Sequence, residues 1–301
     1  MTTTVELGLP RPSRTDNVAL LAVGHGTRDP EGAAVVRALV RRTGELASGL
    51  LVRDAYVDNA SPSVGAALDD LAGSGATVAS VVPLLLTAAS HSKGDLAGSV
   101  QASRLRNPGL RLAYGRPLGP HPALLAALAD RLAEAGAGPE RDDTGVVLAA
   151  VGALDPDGNA DVVKTARLLW EGRSWPHVEA AFLTATRPDV PAVVRRLARL
   201  GVRRVALAPY AIAPGLLSRK AAEQAAETAR AEGVELVVAA PLGVHDAVAG
   251  LLLERHREAM NGDIRMNCDV CAYRVPFPGY ESRVGAVQEP HAHPDEVRAD
   301  G

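Results

Sequence analysis

Two short polar stretches carry a histidine at the point where an apolar run stops. Val18-Ala19-Leu20-Leu21-Ala22-Val23 gives way to Gly24-His25-Gly26-Thr27-Arg28-Asp29, and Val81-Val82-Pro83-Leu84-Leu85-Leu86 gives way to Thr87-Ala88-Ala89-Ser90-His91-Ser92-Lys93-Gly94-Asp95. A third run, Leu50 to Val57, ends in Asp58. Two imidazoles offer two nitrogens to a divalent metal, leave its other positions open, and exchange protons near neutral pH. One histidine in a loop is more often solvated than ligating. The reading therefore rests on the pair: His25 and His91 are candidate metal ligands and proton acceptors, and Asp58 is an assisting base or orienting group. A separate candidate stands near the C-terminus, where Cys268 and Cys271 are spaced for metal or redox chemistry.

The elements that must position these groups follow from the patterning. Strands and helices alternate, which predicts parallel sheets covered by helices. Strand one is Val18 to Val23, followed by a helix from Pro30 to Leu46 with proline in its first turn, where its missing N–H does no harm. Strand two is Leu50 to Val57, and Ser61 is placed to cap a helix beginning at Pro62 and running to Ala72. Strand three, Thr77 to Leu86, is apolar throughout, as a strand buried on both faces should be. Strand four is Leu110 to Tyr114, followed by Pro117-Leu118-Gly119-Pro120-His121 and a helix to Ala135. In an open parallel sheet, ligands bind at the carboxyl ends of strands, which is where His25, Asp58, His91 and His121 fall.

The second half repeats the first. Gly145 to Val151, Val178 to Leu183, Val202 to Tyr210 and Val234 to Ala239 mirror the four strands, and Pro241-Leu242-Gly243-Val244-His245 matches the turn at His121. The fold class is therefore α/β, with two homologous domains, each a four-stranded parallel sheet flanked by helices. The expected division is a leader over 1–16, a first domain over 17–137 with the active site, a linker over 138–144, a second domain over 145–260 without the His pair, and a tail over 261–301. At the tips of its strands the second copy carries Ala153, Thr184, Leu217 and His245. A residue needed to build the fold should tend to appear in both copies, whereas chemistry at a single site needs a residue only once. His121 and His245 fall in the first class; His25, Asp58 and His91 fall in the second.

Composition removes other function classes. The formal charge of −3 gives no basic surplus for phosphate, so nucleic acid is not the expected partner. Apolar runs are strand-sized and the start lacks a secretory pattern, so neither membrane insertion nor export is expected and the reading is cytoplasmic. Two cysteines build no disulfide framework. Gly24-His25-Gly26-Thr27-Arg28 is not G-x-G-x-x-G, no Gly-Lys-Ser/Thr closes a phosphate loop, and no G-x-S-x-G elbow occurs.

With those residues in view, the chain resembles the class II tetrapyrrole chelatases, specifically the sirohydrochlorin chelatases of sirohaem and cobalamin biosynthesis. The resemblance lies in Gly24 to Arg28, in Val82-Pro83-Leu84-Leu85-Leu86 with His91 and Asp95, and in Tyr56-Val57-Asp58 with Pro62. The family pattern carries Glu where this chain has Asp58. The likeness extends over both repeats and implies a chelatase-like fold with a cleft between the domains. It implies ATP-independent insertion of Fe2+ or Co2+ into sirohydrochlorin, with His25 and His91 holding the metal. Sirohydrochlorin carries many carboxylates, so Arg28, Lys93 and Arg116 are candidate contacts for them. The Met266-x-Cys268-x-x-Cys271 run resembles the C-terminal motif of long cobalt-type members, which goes with an iron–sulfur cluster. Two thiolates are half of a cluster's usual complement, so a cluster shared between subunits and a zinc or metal-delivery role both stay open. A monomer and a homodimer are both compatible with the sequence. The alternative to an enzyme is a metal or tetrapyrrole carrier without turnover.

Overall fold

In the computed structural model, which describes residues 13, 15–262 and 281–284, the chain forms two sheets of four parallel strands each. The first half runs β1 (Val18–Gly24), α1 (Pro30–Leu46), β2 (Leu51–Tyr56), α2 (Val64–Gly73), β3 (Val78–Pro83), a π-helical turn (His91–Asp95), α3 (Leu96–Arg106), β4 (Arg111–Tyr114) and α4 (Pro122–Glu134). The second runs β5 (Thr144–Ala150), α5 (Pro156–Trp170), β6 (Val178–Phe182), α6 (Val190–Arg199), β7 (Arg204–Pro209), α7 (Leu216–Glu232), β8 (Glu235–Val238) and α8 (Asp246–Asn261). Strand orders are β2-β1-β3-β4 and β6-β5-β7-β8.

The local reasons repeat from half to half. Asp29 caps α1 by accepting the N–H groups of Glu31 and Gly32, and Asp155 caps α5 by accepting that of Asp157; each is followed by proline at the first helical position. β3 and β5 are buried at every residue, as strands covered by helices on both faces must be. The expected helix start at Ser61-Pro62 is corrected: Ser63 is the cap, accepting the Ala66 N–H, and α2 begins at Val64. The Pro62 carbonyl instead accepts the Tyr56 N–H, so it serves the strand rather than the helix.

The halves exchange their last helices. α4 packs on β7 and α5 of the second half, whereas α8 packs on α1, β3 and β4 of the first. One apolar core therefore runs through both, joining Leu20, Leu39 and Val82 to Leu128, Val146, Leu148, Leu251 and Leu252. Each half keeps its own second core on its outer face, around Leu68 and Val81 in the first and around Val194 and Leu207 in the second. Burial at about 25 cal/mol per Å2 of apolar surface makes the shared core the principal tie between the sheets. Cys268 and Cys271 lie outside the described residues, as do residues 1–12 and 14 of the leader expected over 1–16.

Candidate functional site

His25 and His91 meet. Their ring centroids lie 4.7 Å apart with planes at 88°, one edge toward the other's face. His25 stands just past β1, and its position depends on Gly26, whose φ of +98° is one that side chains disfavour. A Cβ on Gly26 would lie 1.6 Å from the Asp58 carbonyl oxygen, so only glycine lets the two strand ends run this close. The Asp58 N–H in turn donates to the His25 carbonyl at 2.9 Å, locking the β1 and β2 tips together.

His91 opens the π-helical turn, closed by the Leu96 N–H donating to the His91 carbonyl. The wider turn brings the Asp95 carboxylate to 2.7 Å from His91 Nδ1. A carboxylate only accepts, so Nδ1 carries the proton there and Nε2 is left with the lone pair a metal needs. Asp95 is 12% exposed and His91 32% exposed, so the pair is shielded on one side and accessible on the other. The hydroxyl of the half-buried Tyr114 donates to the Ser92 carbonyl and holds the turn against β4. Asp95 stood in the sequence only as part of a motif; its role emerges from the π turn, since π-helical spacing is not written in hydrophobic periodicity.

Asp58 is engaged by its own neighbour. Its two oxygens accept from the backbone N–H of Asn59 at 2.7 Å and from the Asn59 side-chain amide at 2.8 Å. Among the described residues, no group of three or more His, Cys, Asp and Glu side chains is arranged to hold a metal ion. What the strand tips bring together is a pair of imidazoles rather than a closed set of ligands.

The expected substrate cations divide. Arg28, three residues on from His25, is exposed. Lys93 Nζ donates to Asp155 at 2.9 Å and to Asp157 at 2.5 Å, on the second half. Arg116 makes a two-pronged pair with Glu258 of α8, at 2.9 and 2.7 Å. Lys93 and Arg116, expected as contacts for substrate carboxylates, thus each pair with carboxylates of the chain itself.

The repeat comparison also changes in one place. The Val57 and Asp58 N–H groups donate to Gly24 and His25, as those of Leu183 and Thr184 donate to Ala150 and Val151. The counterpart of His25 is therefore Val151, not Ala153, because Gly26 corresponds to Gly152, whose φ is +89°. Leu217 remains the counterpart of His91. His121 and His245 are reciprocal: each caps its own helix and meets a carboxylate on the other exchanged helix, Glu254 and Asp130 respectively, both at 3.1 Å. Burial pushes the His121 imidazole down despite Glu254. Presence in both copies and this symmetry assign the two to the scaffold.

A family model described as CbiX matches residues 19–135 and again residues 145–259. The chain is 33% identical over 260 residues to a sirohydrochlorin cobaltochelatase of Priestia megaterium, with 85% of each chain covered. It is 28% identical over 234 residues to a sirohydrochlorin ferrochelatase of the same organism, covering 78% of this chain and 87% of the relative. Among solved structures, SirB from Bacillus subtilis with Fe3+ superposes with a TM-score of 0.73 at 28% identity, over 82% of this chain and 97% of that one. SirB from Bacillus subtilis subspecies spizizenii in complex with cobalt gives 0.69 at 25% identity, covering 82% and 96%. One strand-end geometry occurs in each half and the same family pattern matches each in turn, so the chain belongs to the CbiX family, with the repeat carried twice.

Proposed function

We propose that this protein is a sirohydrochlorin chelatase, inserting Fe2+ or Co2+ into the macrocycle without ATP. The observation that carries the reading is the meeting of His25 and His91 at 4.7 Å, with Asp95 behind His91. Insertion exchanges two pyrrole N–H protons for one divalent ion, so the site must hold a metal loosely and accept protons. Two imidazoles do both: they bind the ion through nitrogen, leave positions open for the incoming pyrrole nitrogens, and take up protons as the metal leaves. Asp95 orients His91, and Asp58 assists from the β2 tip. Imidazole accepts iron and cobalt alike. Among the described residues, the exposed Arg28, three residues on from His25, is a candidate to meet a substrate carboxylate. No step runs through Cys268 or Cys271.

The test is an anaerobic assay with excess sirohydrochlorin and either metal, following the macrocycle's absorbance over many turnovers. His25→Ala and His91→Ala should each lower the rate by a factor of about 100 or more, the scale of losing a positioned acid–base group. Unaltered rates in both variants would remove the site. A carrier would instead take up one equivalent and stop.

A further inference from the structure

The loop that delivers His91 is gripped from the second half, and the grip has a shared part and a private part. The shared part is the cation tie: Lys93 meets Asp155, and the equivalent Arg219 meets Asp29 at 2.5 Å. Close packing is also shared. A Cβ on Gly158 would sit 3.1 Å from the Ala89 side chain, and one on the equivalent Gly32 would sit 2.5 Å from the Pro214 carbonyl.

The private part is a hydrogen bond. The Ala88 N–H donates to Asp161 Oδ2 at 3.0 Å, and Asp161, on α5, is only 7% exposed. In the other half the place of Asp161 is taken by Val35 and that of Ala88 by Pro214. Proline has no N–H and valine has no acceptor, so both ends of the bond are absent together. Tyr210, whose counterpart is Leu84, adds a second private contact by donating from its hydroxyl to the Leu86 carbonyl at 3.3 Å. For the fold alone, an apolar residue at 161 would serve better, because a buried carboxylate with few partners is costly. Burial does push the Asp161 carboxyl up, to about 6.

We infer that Asp161 is a positioning residue for the metal site: by holding the Ala88 amide it fixes the loop at the setting in which His91 faces His25. The inference rests on the reading of the His pair as the metal site.

The experiment uses the full chain and Co2+ alone, titrated at pH 7.5 and followed by the visible absorption of bound cobalt, alongside thermal melts. Asp161→Val, which installs the residue of the equivalent position, should weaken Co2+ binding by about tenfold, the scale of one hydrogen bond to a charged group, without lowering the melting temperature. Asp161→Asn keeps an acceptor and should restore binding to within about threefold of the parent. Ala88→Pro reaches the same bond from the loop side, keeps the test in force if Asp161→Val does not fold, and should add nothing to it in the double variant. Parent-like binding by Asp161→Val, or equal losses in Asp161→Asn and Asp161→Val, overturns the positioning role. If His25→Ala and His91→Ala bind Co2+ like the parent, the metal-site reading fails first and this inference falls with it.

Discussion

Mild acid should loosen the exchanged helix α8 through one histidine. His256 Nδ1 lies 2.6 Å from Ser80 Oγ on β3, so this contact joins α8 to the first sheet. Burial, with Arg257 beside it, pushes the imidazole down from 6.5 to about 4. Between those values the unfolded chain binds a proton that the folded chain refuses. The contribution is therefore fully present above pH 6.5 and is lost as pH falls toward 4. At 1.36 kcal/mol per unit the whole gap is about 3 kcal/mol, of which about 2 kcal/mol is gone by pH 5. The ring is only partly buried and lines a cavity of about 510 Å3 together with Asp16, Arg257 and Met260, which lessens the cost of charging it. The expected loss between pH 7.5 and pH 5 is thus about 1–2 kcal/mol, or roughly 2–3 °C in melting temperature for a chain of this size. Urea unfolding at the two pH values, on the parent and on His256→Asn, isolates the term, because asparagine can still meet Ser80 and does not titrate. Carboxylates add to the slope equally in both proteins. Equal slopes in the two, within about 0.5 kcal/mol, would refute the assignment.

Two further pairs of substitutions use the repeat as an internal control. Lys93→Met strands the fully buried Asp155 carboxylate and should cost about 3–5 kcal/mol, whereas Arg219→Met breaks a pair whose arginine is 52% exposed and should cost under about 1 kcal/mol; denaturant unfolding compares them. Gly26→Ala and Gly152→Ala each place a Cβ within 2.2 Å of a carbonyl oxygen at positive φ and should both destabilise by more than about 2 kcal/mol. Only Gly26→Ala should abolish Co2+ binding; loss in both would show that the β1 tip has no special part in the site.

The patterning of apolar runs was enough to read the alternation of strands and helices, because strands such as β3 and β5 are buried at every residue. Comparing the halves pointed to His25 and His91, which the structure brings together, since a residue kept in only one copy of a scaffold stands out as a difference. What stayed hidden depends on groups brought together from distant sequence. The exchange of α4 and α8 leaves no local trace, because an amphipathic helix does not record which sheet it covers. Lys93 and Arg116 looked available because Asp155, Asp157 and Glu258 stand far along the chain. Asp161 carries no motif; its only signal was an acid where the other copy has Val35, visible once the register of the halves is fixed by their hydrogen bonds.

That asymmetry bears on whether the second half could be given a site of its own. Val151→His with Leu217→His would put imidazoles at the positions equivalent to His25 and His91. The supporting groups would still be missing. Ala221 stands where Asp95 holds His91, α7 starts as a regular helix where the first half has the π turn, and Pro214 offers no N–H to a holding carboxylate. Orienting partners of metal ligands are worth about 10- to 100-fold in affinity, and a metal bound by only two imidazoles has little to spare. The double variant should therefore bind one Co2+ per chain at the parent's affinity and a second at least about tenfold more weakly. Two equal sites in the titration would mean that the histidines alone suffice, and that the holding contacts around His91 are incidental.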